Sequence, residues 1–243
     1  CCISYFYKRL IIKMGDPVVI FPFSILWWKG IIIVSFVAFL IIQLAIRIPP
    51  DKRRILMISI GLIMLLREVS RQWYLSEFGL WEIEKSLPLH LCGISAILGG
   101  VMMIFPVQKG FEFLALMSIA GALHAFLTPQ LNHGASSYMI VEYFLSHGGI
   151  ILIPIYLAIV EGYRVRKSSY IMVILSCQVL LLFIGTVNFF IDSNYMYLNE
   201  KPLVNNPMII GEWPWYILGF ELVGIAHIFI FYFAFRKMKP LPF

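Results

Sequence analysis

Two short stretches combine residue types able to do covalent chemistry. Ser86-Leu87-Pro88-Leu89-His90-Leu91-Cys92-Gly93 sets an imidazole and a thiol at the start of an apolar run, and Phe144-Leu145-Ser146-His147-Gly148-Gly149 sets a second imidazole inside another. A thiol beside a helix N-terminus becomes a nucleophile when a histidine within hydrogen-bond reach takes its proton. On a regular helix His90 and Cys92 stand about 200° apart, so they diverge unless Pro88 leaves the first turn irregular. His147, from another helix, is the better base. Glu142 or Glu221 could orient it, and Arg67 could hold a phosphate or a developing oxyanion.

The same groups admit two other chemistries. His90, Cys92, His124 and His147 could ligate a metal, as in intramembrane zinc hydrolases, although no HExxH or comparably compact spacing is present. Alternatively, the polar groups line a binding or translocation site for a lipid or small solute. Transporters show repeats and helices broken by Gly or Pro at mid-membrane. The paired glycines within apolar runs, Gly99-Gly100 and Gly148-Gly149, more often allow close helix packing.

The elements that must carry these residues are membrane helices. Of 243 residues, 60% are hydrophobic and 13% charged, and the mean hydropathy is +0.87. A soluble domain would carry about a quarter of its residues as charges. The net charge of +6 is no nucleic-acid footprint, because the basic residues fall in short loops between apolar runs. Cysteines at 1, 2, 92 and 177 form no CxxC pair, so neither a disulfide framework nor a zinc knuckle is written, and no cofactor is expected.

Seven runs are long enough to cross a hydrocarbon core of about 30 Å at about 1.5 Å per residue: 24–47, 54–73, 88–105, 111–127, 138–160, 170–191 and 214–236. Arg47, Lys52, Arg53, Arg54, Lys109, Arg164, Arg166, Lys167, Arg236, Lys237 and Lys239 all fall on one side. The opposite loops hold Lys85 and Lys201 against Glu77, Glu82, Glu84, Asp192, Glu200 and Glu212. The positive-inside rule then predicts an all-α multipass bundle of about seven helices, with an external N-terminus and a cytoplasmic tail. Lys8, Arg9 and Lys13 run against that rule, and they vanish if translation begins at Met14. Residues 1–23 therefore read as an N-terminal segment whose first 13 residues precede the native start. Residues 24–243 read as one transmembrane domain in the cell membrane, with no cleavable signal peptide evident.

Placed on these spans, the ionisable groups segregate. His90 and Cys92 lie within about 8 Å of the external end, Glu142 about 6 Å and His147 about 14 Å down, and Glu221 about 10 Å in. Arg67, Glu68, Arg71, His124, Asn188 and Asp192 fall in the same half. Ionisable side chains within a span normally face a bundle interior or a water-filled cavity, so the pattern predicts a polar chamber opening toward the external leaflet. Singly, each residue has a plainer reading: arginines snorkel, Glu68 pairs locally, and histidines pack with a hydrogen bond. Two aromatic stretches border the chamber, Asn188–Pro202 and Gly211–Tyr216. Either they form an interfacial belt with a capped turn, or they make a lid in which Tyr195, Tyr197 and Trp213 meet lipid headgroups or glycerol backbones.

Together LPLHLC at 87–92, LTP at 127–129, FLSHGG at 144–149, NYMYLNEKP at 194–202 and GEWPWY at 211–216 resemble the YwaF-like family of bacterial integral membrane proteins, which is related to eukaryotic transmembrane protein 164. The resemblance covers nearly the whole chain from about residue 15. It implies about seven membrane helices and, through the eukaryotic relative, a cysteine-dependent acyltransferase that moves fatty acyl groups between phospholipids. On that pattern Cys92 corresponds to the nucleophile and His147 to its partner. The expected partners are phospholipids, lysophospholipids and the bilayer. The supporting, oxyanion or headgroup residues are expected among His90, Arg67, Glu68, Arg71, His124, Glu142, Asn188, Asn194, Tyr195, Tyr197, Trp213 and Glu221.

Overall fold

The computed structural model describes residues 15–204, 209 and 211–239. Lys8, Arg9, Lys13 and Met14, on which the reading of the native start rests, lie outside the described residues. Long apolar runs with few breakers form the helices: α1 (Ile25–Arg47), α2 (Pro50–Glu77), the single turn α3 (Ile83–Ser86), α4 (Leu91–Ile104), α5 (Gln108–Leu127), α6 (Ser137–Ile159), α7 (Ser169–Ile191) and α8 (Trp215–Lys237). Ser24 and Ser136 cap α1 and α6 by accepting the amides of Trp27 and Met139. Asp192, in the left-handed conformation, ends α7. Within α5, Leu114–Ser118 is a π-helical segment.

Five of these helices, α1, α5, α6, α7 and α8, are long and apolar enough to cross a bilayer. The two remaining apolar runs differ from expectation in extent. α2 continues to Glu77 and includes Lys52, Arg53 and Arg54 in its first turns, because nothing in that sequence breaks a helix at the membrane boundary. α4 begins only at Leu91, and its 14 residues span about 21 Å.

α5 and α6 form the interior of the bundle, with 61% and 67% of their apolar windows buried, against 6% for α1 and 11% for both α7 and α8. The outer helices present Ile32, Phe36, Leu182, Phe189, Leu222 and Phe233 outward, as lipid-facing surfaces must. Between them lies a core that includes Met103, Leu114, Leu116, Ile150, Ile153 and Tyr156. The paired glycines serve packing. A Cβ on Gly148 would stand 2.4 Å from Val34 of α1, and one on Gly149 would stand 2.4 Å from Met64 of α2.

The two ends of the bundle are held differently. At the end carrying the α1–α2 connection, fully buried Glu112 accepts from the backbone amide and guanidinium of Arg166 and from Gln108, while Arg54 donates to the last carbonyls of α4. At the opposite end, Val18–Val19 (β1) pairs antiparallel with Gln130–Leu131 (β2), Val18 opposite Leu131. A pair this short depends wholly on the helices that bring it together.

Candidate active site

The site begins where the chain enters α4. Leu87 is extended ahead of Pro88, as the residue before a proline must be, and His90 is extended at the N-cap. His90 therefore stands outside the helix, and the divergence a regular helix would impose does not arise. Gly93 makes the entry possible: a Cβ there would lie 2.8 Å from the Pro88 carbonyl oxygen. Cys92 is a free thiol in the first turn of α4, where the backbone amides have no carbonyl one turn earlier to bind. Its sulfur lies 3.8 Å from where a Cβ of Gly121 would stand.

His90 and Cys92 share one wall of a cavity of about 290 Å³ enclosed by α4, α5, α7, α8 and the segment after α7. The small residues Ala120 and Gly121 leave the space, and Met117, Ile174, Leu181 and Phe220 make most of its surface apolar. His124, Tyr197 and Glu221 also face it. So do His227, Cys177 and Gln178. The His227 ring centroid is 5.0 Å from that of His124, and its Nδ1 donates to the Val223 carbonyl.

The segment after α7 is a strap pinned over this cavity. Asn188, buried at the end of α7, donates to the Tyr195 carbonyl and accepts from the Tyr195 amide and the Ser193 hydroxyl. The phenol of fully buried Tyr195 donates to the Ile83 carbonyl and accepts the Leu87 amide, so the strap and the entry to α4 fix one another. Met196 and Tyr197 have φ of +57° and +56°, left-handed conformations that side chains rarely adopt. Their consequence is an amide of Met196 that donates to Nδ1 of His90 over 3.2 Å. Asn194 and Trp213 hold the strap from outside, Asn194 by accepting the amides of Asn199 and Glu200, Trp213 by donating to the Leu198 carbonyl.

His147 lies deeper, buried on α6, and is absent from the cavity wall. Its Nδ1 is 2.7 Å from the Tyr143 carbonyl, and its ring centroid is 4.2 Å from that of Tyr143. A carbonyl only accepts, so Nδ1 carries a proton, and in the neutral ring Nε2 is the lone pair. No hydrogen bond joins His147 to Cys92 among the described residues. Tyr143 packs against the imidazole with its ring tilted by 38°. Sequence reasoning missed Tyr143, because an aromatic residue in a helix reads as packing.

Apart from Glu221, the expected charged residues form a brace behind the cavity and do not line its wall. Arg67 pairs with Glu142 of α6 and with Glu68, and Arg71 pairs with Glu68 and donates to the Ser86 carbonyl. Gln72 bonds the same carboxylate and the same carbonyl. Both terminal nitrogens of Arg67 are thus committed to carboxylates, where a phosphate or oxyanion had been expected. Ser86 is held further by His133, whose Nε2 is 3.2 Å from its hydroxyl. Burial, with the nearby charges of Arg71 and Lys85, pushes His133 down to about 3. Burial likewise pushes the Tyr197 phenol up. Among the described residues no three His, Cys, Asp or Glu side chains converge where a metal ion could be held.

No curated protein and no solved structure matches this sequence. The TMEM164 family model matches residues 20–232, a span that holds LPLHLC, FLSHGG, the strap and the cavity. The chain is a membrane protein and belongs to the TMEM164 family.

Proposed function

We propose that this protein is a phospholipid acyltransferase of the cell membrane, moving fatty acyl groups between phospholipids and lysophospholipids through a thioester on Cys92. In this reading α2 and α4 complete seven spans within one domain of residues 24–243. The N-terminus is external, the tail cytoplasmic, and the cavity is reached from the external leaflet. The observation that carries the proposal is the state of two complementary groups that are not in contact in the free protein. Cys92 is a free thiol on the wall of an apolar cavity, and His147 has Nδ1–H bonded to Tyr143 and an unprotonated Nε2. Those are the nucleophile and the base an acyl transfer needs.

The steps follow from these roles. Nε2 of His147 takes the Cys92 proton as substrate binding draws the two together; such contacts tighten from looser geometry in the free enzyme. The thiolate attacks the ester carbonyl carbon, and the C–S bond forms as the C=O pair moves onto oxygen. Collapse breaks the C–O ester bond, and the departing alkoxide takes the proton from His147, leaving the lysophospholipid and a thioester. A second lysophospholipid hydroxyl then gives its proton to His147 as its oxygen attacks the thioester carbonyl; the C–S bond breaks, and the departing thiolate takes the proton back from His147. The apolar walls from α7 and α8 suit an acyl chain, since both helices are lipid-facing on their outer sides. Water as acceptor would make the same site a hydrolase.

The test is intact-protein mass spectrometry of purified wild type, Cys92→Ala and His147→Ala incubated with phospholipid, before and after neutral hydroxylamine. An acyl-sized, hydroxylamine-labile adduct on wild type and not on Cys92→Ala is expected. No adduct on wild type, together with lipid turnover unchanged in both variants, would sink the cysteine mechanism. A binding or transport role for the cavity would then take its place.

A further inference from the structure

The acyl-transfer reading leaves one catalytic part unassigned. Attack on an ester places a negative charge on the former carbonyl oxygen, and a preorganised donor aimed at that oxygen is commonly the largest single contribution to the rate. Arg67 does not fill the role, because its terminal nitrogens are engaged with Glu68 and Glu142 behind the cavity.

His90 is built for it. The Met196 amide donates to Nδ1 of His90, and a nitrogen that accepts cannot carry a proton. An imidazolium has no acceptor nitrogen, so His90 is neutral, with its single proton on Nε2. It is thus the tautomeric opposite of His147, which holds its proton on Nδ1 and offers Nε2 as a lone pair. The contact that sets the His90 tautomer comes from a strained, doubly left-handed strap whose Tyr195 is bolted to Leu87 and Ile83. The ring is further confined by Tyr195 and Tyr197, with centroids at 5.4 and 5.0 Å. The donor is therefore oriented before any substrate arrives, on the same cavity wall as the sulfur and only two residues from it.

We infer that His90 is a further catalytic residue, a neutral imidazole whose Nε2–H donates a hydrogen bond to the oxyanion formed when Cys92 attacks an acyl ester. The α4 amides at the same helix end supply additional donors. Two histidines divide the work: His147 moves protons, and His90 holds charge without moving one. The inference rests on the proposed Cys92 mechanism.

Two reactions of the same sulfur separate the possibilities in the purified full chain. Acylation by phospholipid passes through an oxyanion; alkylation by iodoacetamide is a direct displacement and forms none. His90→Leu should slow acylation of Cys92 about 10²–10³-fold while leaving the alkylation rate within about threefold of wild type. His90→Gln, which keeps an N–H near the Nε2 position, should recover acylation to within about tenfold of wild type. Equal losses in acylation and alkylation would overturn the inference, since they indicate a base or a purely structural support. Failure of His90→Gln to recover any acylation while its alkylation stays normal would also overturn it. If wild type itself forms no acyl adduct, the Cys92 mechanism falls and the role of His90 falls with it, an outcome distinct from any difference between variants.

Discussion

Arg67 of α2 and Glu142 of α6 form an ion pair with both side chains almost wholly buried, and Glu68 completes it from the adjacent position. Two carboxylates and the guanidinia of Arg67 and Arg71 neutralise one another, which is how charges persist inside a membrane bundle. Removing one partner strands the others. Glu142→Leu should cost about 3–5 kcal/mol of stability. The double variant Arg67→Met/Glu142→Leu should be less destabilised than the sum of its two parts. Thermal unfolding in detergent checks the cycle; simple additivity would show that the pair does not couple α2 to α6.

Gly121 lies beside both Leu91 and Cys92, with the thiol sulfur at 3.8 Å from a built Cβ. A larger side chain would project into the cavity next to the nucleophile. Gly121→Leu should lower acyl transfer by at least about tenfold, in line with the cost of displacing a reacting group by about 1 Å. Alkylation of Cys92 should slow more with a bulky maleimide than with iodoacetamide. Transfer at the wild-type rate would place the substrate elsewhere.

The Tyr195 hydroxyl is bonded to both Ile83 and Leu87. Tyr195→Phe leaves the Leu87 amide without its acceptor, a loss of about 1–3 kcal/mol. Hydrogen exchange at Leu87 and Met196 should rise together, because the strap and the α4 entry lose their common fastening. Faster exchange at only one of the two sites would show that they are independent.

His133 lies outside the spans and has its folded value depressed from 6.5 to about 3, chiefly by burial. Below about pH 6.5 the unfolded loop binds a proton that the folded loop refuses, so this contribution is fully present above pH 6.5 and is lost as pH falls toward 3. Thermal midpoints in detergent should therefore decline across that window, and His133→Gln should flatten the decline. A profile identical to wild type would assign the acid sensitivity to other groups.

Much of this arrangement is legible in sequence because helix formation in a membrane is a local matter. Hydropathy over about twenty residues locates α1, α5, α6, α7 and α8, and the segregation of His90, Cys92, His124, Glu142 and His147 into one half is visible once the spans are laid out. Membership in the TMEM164 family is likewise read from sequence, by a match over residues 20–232. The identity of the side chains that meet is decided by tertiary structure. Arg67 can face lipid headgroups, substrate or a carboxylate with the same sequence around it. Only the approach of α6 brings Glu142 to it and turns a candidate substrate ligand into a structural brace. His90 and His147 are one residue type in similar surroundings, yet they hold opposite tautomers because one meets an amide from a distant strap and the other a carbonyl one turn back on its own helix. Proton position follows the hydrogen-bond partner, and a partner 106 residues away is fixed only when the chain folds.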